Sequence, residues 1–436
     1  MMKRILIYVL LAVLMASCTF SIPLTAAPAK SDTEQAAASD DVTPDENHPE
    51  STADLDSPQS EPDDDAASNP DSVTAIQNPA PAPVVLNPLS GLPVQHPENL
   101  LLPPALVSIT NFPPTARPQA GLSFSPIVFE LFIGDGMTRY LAIFYGDYPE
   151  AAAPSGSSAD LQNELTEGMP QPAPASVGPI RSGRLPYESM RQLYNGFIVM
   201  ASAYSEVAEQ MGDYVNVFGD DKTDVNSALI PVEDLHQIAQ ETGKELPVGA
   251  LDVMHFDIQP PKSGKPAPSL WIFYAYKNQV FWRYNEADGS YHRWQDNADG
   301  QTFIEQTDRL NGEPLTYENV IVLFADHEVT RKYLIDIDLT YVERGKALLF
   351  RDGIMQEIYW TTRSAEYEKT TGRLRPIRFI DADGNPFPLK PGQTWIELVP
   401  NYTVYWETVN SEKYNQLVAG RSKGSGYWGL YFELDD

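Results

Sequence analysis

Four short runs in the first half of the chain are largely apolar: 105–111 (ALVSITN), 127–133 (IVFELFI), 140–146 (YLAIFYG) and 196–203 (GFIVMASA). Each is rich in Ile, Val and Phe and is bounded by Pro, Gly, Asn or Asp, so each predicts a buried strand. Between and after them the apolar period lengthens. Residues 183–195 place Tyr187, Met190, Leu193 and Tyr194 at helical spacing, with Pro186 acceptable in a first turn. Residues 205–213 predict a short helix with Ser205 as its N-cap. Residues 232–242 put Val232, Leu235, Ile238 and Ala239 on one face, with Gly243 as the stop. Strands mixed with helices predict a layered α/β or α+β N-terminal domain over 84–260. Its interruption at 150–176, rich in Pro and Ala, reads as a mobile insertion.

The texture changes after PPKSGKPAPS (260–269), which reads as a hinge. From 261 to 436 the chain is a succession of β-like runs: SLWIFYAYK, QVFWRYN, ENVIVLFADHEV, KALLFRDGIMQEIYWTT, QTWIELVP and NYTVYWETV. Asp288-Gly289, Asp299-Gly300, Asp352-Gly353 and Asp383-Gly384 supply turn chemistry between them. This half predicts a second, mostly antiparallel β-rich domain.

The N-terminus is of a different kind. Residues 1–18 carry Lys3 and Arg4, an apolar run of ten residues from Ile5 to Leu14, then Ala16-Ser17-Cys18. The run is too short to span a bilayer, which needs ~20 residues, and fits a secretory signal. Small residues before a cysteine resemble a bacterial lipobox, with Met15 where Leu is usual. Cys18, the one cysteine of the 436-residue chain, is the expected lipidation site. That anchors the protein to the cell membrane on its extracytoplasmic side. Residues 19–83 predict a disordered acidic linker: 19–82 hold 14 acidic residues and one basic residue, Lys30, with too little apolar area to offset ordering.

Charge narrows the partners. The chain has 30 Lys+Arg against 60 Asp+Glu, a net of −30. Nucleic acid is excluded as a general partner, since its phosphates would be repelled. One cysteine rules out an intrachain disulfide and a cysteine zinc cluster. The six histidines lack H-E-x-x-H spacing. No cofactor and no metal site is expected.

Against this acidic background four arginines stand out. Arg117, Arg139, Arg181 and Arg184 lie at predicted strand ends and turns, and guanidinium forks bind phosphate or carboxylate bidentately. Gln119 and Ser182 lie beside them, and the N–H groups near Gly178, Ser182 and Gly183 offer further donors. Convergence would make an anion site. The competing reading is internal neutralisation by Glu130, Asp135 and Glu188. Other candidates are weaker. Ser182 and Ser205 have no histidine nearby to act as base and no G-x-S-x-G elbow. His255, with Asp252 and Asp257, reads mainly as a hydrogen-bonded core residue. Asp381-Ala-Asp383-Gly384 is a turn, since its glycine stands fourth where a calcium loop needs it sixth. Trp271, Tyr274, Tyr276, Trp282, Tyr284, Tyr291 and Trp294 suggest a glycan-stacking platform less strongly than strand packing.

A wider pattern joins these pieces. Asn87-Pro-Leu-Ser-Gly-Leu-Pro, Ala116-Arg117-Pro118-Gln119-Ala-Gly121-Leu122, Val177-Gly178-Pro179-Ile-Arg181-Ser182-Gly-Arg184, His255-Phe256-Asp257 and Pro391-Gly-Gln-Thr394-Trp395 together resemble the YerB-type bacterial lipoprotein family. The resemblance runs over most of 84–400 and implies two domains with no defined biochemical activity. There are departures. Gly134-Asp135-Gly136 stands where the family has Glu-Gly-Gly, and Ala201 and Val225 stand where it has histidines, which lowers any histidine-based acid–base chemistry. The sequence therefore points to an envelope lipoprotein that binds an anionic ligand or envelope component through its arginines. A cell-envelope hydrolase or transferase, with a carboxylate base and an arginine clamp, and a protein-interaction scaffold are the alternatives.

Overall fold

The computed structural model describes residues 84–149, 175–220, 224–332, 334–407 and 428–434. Cys18, the acidic linker and most of the insertion lie outside the described residues. The insertion is shorter than expected at its C-terminal end: Ser176–Val177 form a two-residue strand against Ile230–Pro231, with both side chains buried.

Among the described residues, sixteen strands form the main paths of the two main sheets, and two short strands, Lys265–Pro266 and Thr316–Tyr317, pair beside them. In the N-terminal half they are β1 (Ala105–Thr110), β2 (Ile127–Gly134), β3 (Met137–Phe144), β4 (Phe197–Met200) and β5 (Tyr214–Asn216). The C-terminal half adds β6 (Ser269–Ala275), β7 (Asn278–Asn285), β8 (Ser290–Asp296), β9 (Phe303–Glu305), β10 (Asn319–Ala325), β11 (Gly345–Arg351), β12 (Ile354–Thr361), β13 (Arg378–Ile380), β14 (Thr394–Pro400), β15 (Val404–Glu407) and β16 (Trp428–Tyr431). The large mixed sheet runs β13-β12-β11-β10-β14-β2-β3-β1-β4-β5, and the second runs β9-β8-β7-β6-β16-β15. All four predicted N-terminal runs became strands. β1 and β2 are buried at every position, as continuous apolar runs covered on both faces require.

The two halves predicted on either side of residue 260 share this large sheet. β2 pairs in parallel with β14, bringing Glu130 directly opposite Glu397. The expected hinge is partly structured: Lys265–Pro266 pair with β12. Asp352-Gly353 joins β11 to β12 as a two-residue turn, with φ of +52° and +71°, the mirror-image turn whose twist suits a hairpin.

Four α-helices lie among the described residues: α1 (Pro186–Tyr194), α2 (Ser205–Ala208), α3 (Val232–Glu241) and α4 (Ala365–Thr371). α1 buries Tyr187, Met190, Leu193 and Tyr194, as its spacing predicts. Tyr194 packs edge-on to Phe129 of β2, so α1 covers the sheet face that carries Phe129 and Leu131. α2 is shorter than expected and its N-cap is Tyr204. Ser205 makes no cap and bonds Glu206 instead. α4 breaks the otherwise β-like second half. The second sheet covers the other face of β2, β3 and β14, that of Glu130, Tyr140 and Glu397, and donates Trp282 and Arg293 to the interior.

Candidate functional site: an arginine cluster at a strand end

Strand alternation sorts the arginines. Arg139 and Tyr140 are neighbours on β3 and therefore point to opposite faces. Arg139 stands level with Leu131 of β2 and Thr110 of β1, on the helix side. The segment 178–184 crosses the end of β1, held by Arg181 N–H to Ser108 O at 2.9 Å and Gly183 N–H to Ser202 O at 2.9 Å. It delivers Arg181, Ser182 and Arg184, all half-buried, to the same place, next to the start of α1. β1 and β4 run parallel, and the cluster lies at their C-terminal ends, where α/β sheets commonly place ligands.

Arg139 is only 7% exposed. Its Nη1 donates to Ser182 O at 2.9 Å, and its Nε is buried with no partner. Ser182 O also accepts from Ser108 Oγ, which lies 3.1 Å from the Tyr187 hydroxyl. Burial, followed by the positive charges of Arg184 and Arg181, pushes Arg139 down to about 9, with Tyr187 opposing. Among the described residues no carboxylate lies within ion-pair distance of Arg139. The three acids expected to neutralise the arginines are engaged elsewhere. Glu130 binds Arg293 at 2.5 Å, Asp135 binds Lys332 at 2.5 Å, and Glu188 binds Arg191 at 2.7 Å. A buried cation without an anion is costly. Arg139→Met is therefore expected to raise stability by about 1 kcal/mol or more, read as a higher melting temperature. An unchanged or lower value would show that the fold itself needs this charge.

Arg117 does not join this cluster. It lies on the other side of the sheet, donating from Nε to Asn111 Oδ1 (3.1 Å) and from Nη1 to Asp296 O (2.8 Å), with Phe112 4.9 Å beneath it. Burial pushes it down to about 10, with Tyr140 and Glu130 supporting its charge and Arg293 opposing it. It lines a cavity of about 180 Å³ with Pro118, Asn297, Glu305 and Gln306. Gln119 is buried and donates to Thr110 O at 3.0 Å, so its amide serves the local backbone. Gly178 and Gly183 spend their N–H groups on Ala120 O and Ser202 O, so these expected donors face the fold.

The remaining candidates resolve simply. His255 is exposed on a two-residue strand paired with Pro388–Leu389, contrary to the core reading. Trp271, Tyr274, Trp282 and Tyr291 are buried, which removes most of a stacking platform. Asp381 Oδ1 accepts from Asp383 N and Asn385 N, both at 2.9 Å, as a turn residue does. Among the described residues no group of three or more His, Cys, Asp or Glu is arranged to hold a metal ion. No described helix is long and apolar enough to cross a membrane.

The charged centre that sequence reasoning missed lies between the sheets. Arg293 and Glu130 form a wholly buried pair, with Thr138 Oγ1 donating to Glu130 Oε1 at 2.6 Å. Arg293 sits 4.6 Å over the Trp395 ring. Glu397 accepts from the Tyr274 hydroxyl (2.5 Å) and Trp282 Nε1 (2.9 Å).

Fold and sites together define a two-part, β-rich protein with an arginine cluster on one face of its central sheet and a sealed ionic centre on the other. Comparison with known proteins makes this specific. Residues 89–234 match the N-terminal domain, and residues 270–396 the C-terminal domain, of the family described as protein of unknown function (DUF3048). YerB of Bacillus subtilis (strain 168), named as a candidate lipoprotein, is 26% identical over 311 residues, 68% of this chain and 81% of its own. The crystal structure of the Bacillus subtilis YerB protein superposes with a TM-score of 0.53 at 24% identity, covering 72% of this chain and 97% of that one, which is a likeness of fold. The chain belongs to this two-domain, YerB-type family.

Proposed function

We propose that this is an envelope lipoprotein, anchored through Cys18 to the cell membrane on its extracytoplasmic side. Its body binds a compact anionic group of an envelope component, phosphate or carboxylate, at Arg139, Arg181, Ser182 and Arg184. The name of the Bacillus subtilis relative and the lipobox-like end support the anchoring. The observation that carries the binding is Arg139: a buried guanidinium with an unpartnered Nε, no described counter-ion, and two further arginines crowding it. A bound anion would supply the missing charge and accept from that fork. Binding is favoured over hydrolysis or group transfer because the acids nearest the cluster in sequence, Glu130, Asp135 and Glu188, are held by Arg293, Lys332 and Arg191 and are not poised as a base.

The test is thermal unfolding with inorganic phosphate, pyrophosphate and citrate as probes. A probe at a hundred times its dissociation constant stabilises the fold by about 2.7 kcal/mol. The expected result is a rise of several degrees for at least one probe, absent in Arg181→Ala/Arg184→Ala although that variant melts close to the parent without probe. The same rise in the double variant as in the parent would sink the reading, as would no response from the parent.

A further inference from the structure

A second group of arginines lies close to an apolar groove. Val85 and Leu86 line a cavity of about 400 Å³ together with Val248, Gly249, Met254 and Phe256. Around it apolar side chains are left in water: Leu86 is 51% exposed and Val248 90%. Exposed apolar groups gathered at one groove mark an interaction surface.

Tyr367 of α4 ties this groove to the arginines. Its hydroxyl donates to Ala250 O at 3.3 Å, one residue beyond Gly249 in the groove wall. Its ring lies 5.5 Å beneath the guanidinium of Arg375. Arg378 donates from Nη2 to Arg363 O at 3.0 Å. Burial, then the charges of Arg375 and Arg363, push Arg378 down to about 10. The Nε atoms of Arg375 and Arg378 are buried without partners. Nearby acids are accounted for. Glu343 pairs with Arg363 at 3.3 Å, Glu366 pairs with Lys369 at 2.7 Å, and Glu368 accepts from the Tyr341 hydroxyl at 3.1 Å. Asp252 remains at the groove. Among the described residues no carboxylate reaches ion-pair distance of Arg375 or Arg378. Residues 363–378 hold five basic and two acidic side chains, whereas 83–436 as a whole carry a net of −19.

We propose that this face, the apolar groove beside Val85 and Leu86 with Arg363, Arg375 and Arg378, rests on an anionic phospholipid surface. Apolar side chains beside a basic cluster are what interfacial binding uses, the first entering the headgroup boundary and the second meeting anionic lipid. The exposed apolar groups beside the arginines argue for a membrane above a soluble polyanion, which would engage the charges and leave the groove in water. The acidic remainder of the body is repelled by the same lipids, which leaves this face as the favoured one. This surface is separate from the Arg139 cluster and stands or falls independently of it.

The test couples the chain from Cys18 onward, through its one thiol, to a maleimide lipid in vesicles, so it does not depend on acylation in cells. Hydrogen exchange is compared on phosphatidylcholine vesicles and on vesicles containing one-third phosphatidylglycerol. Exchange over 84–101, 244–258 and 363–378 is expected to slow at least threefold on the anionic vesicles alone, and to recover in 0.5 M NaCl. Arg375→Gln/Arg378→Gln should lose the protection. Arg375→Lys/Arg378→Lys, which keeps the charge, should retain most of it and so separates lost binding from lost folding. Equal exchange on the two vesicle types overturns the proposal. So does protection of these residues by soluble polyphosphate with none from anionic vesicles, which would assign the face to a soluble polyanion.

Discussion

Arg293→Met is expected to destabilise the folded body by about 3–5 kcal/mol, more than any exposed arginine substitution. Arg293 is fully buried, bonds Glu130 at 2.5 Å and Gln295 Oε1 at 2.9 Å, and is the cation that faces both Glu130 and Glu397. Burial works against its charge, yet the two carboxylates and Tyr140 hold its pKa above the ordinary value. Methionine fills much of the volume but leaves two acids on adjoining strands with no cation between them. Arg293→Met/Glu130→Met should therefore cost less than Arg293→Met alone, because the stranded acid leaves with its partner. Urea midpoints of the parent and both variants measure this. A double variant that is less stable than the single one, by the full cost of a second lost side chain, would refute an ionic origin. The sign is opposite to that expected at Arg139. Both arginines are buried, but among the described residues one has its counter-ion inside the fold and the other has none, and on the proposed reading that difference separates a structural cation from a binding one.

The strand runs were legible because their physics is local. β1, β2 and β3 are covered on both faces, so apolar content and flanking turn residues sufficed. The Asp-Gly turns were legible for the same reason, since left-handed backbone at Asp352 and Gly353 is a property of those two residues. What escaped was pairing between distant segments. No local signal places residues 394–400 between β10 and β2, and the change of texture near 260 suggested two separate domains. The arginine cluster was half legible. Pro- and Gly-punctuated loops pointed to Arg117, Arg139, Arg181 and Arg184, but only the register of β3 shows that Arg117 falls on the opposite face. The ionic centre had a signal that went unread: IVFELFI and WIELV each carry one glutamate inside an otherwise apolar strand. A charge in such a place needs a buried partner, so each glutamate announced a cation or a shared proton.

That shared proton gives the protein a dependence on pH that is tied to one residue. Burial, and next the negative charge of Glu130, push Glu397 up from 4.5 to about 8, with Arg293 pulling the other way. The folded state thus holds a proton on Glu397 that the unfolded chain has released above its ordinary value. Stability must fall as pH rises from about 4.5 to about 8, at up to about 1.4 kcal/mol per pH unit for one proton. His292 adds a contribution of the same sign. Burial opposes its charge, but Asp288 and Glu305, at 2.7 and 2.9 Å, raise its pKa, so its stabilisation is lost as pH rises through that raised value. The parent curve alone cannot separate the two, but Glu397→Gln can. It removes the titration and leaves His292 in place, and its amide can still meet Tyr274 and Trp282. Relative to this variant the parent is expected to lose stability steadily between pH 5 and pH 8, and to be the less stable of the two at pH 8. Parallel curves would mean that Glu397 holds its proton no more tightly folded than unfolded. In that case Arg293 balances both carboxylates as anions, and the cost of Arg293→Met should grow accordingly.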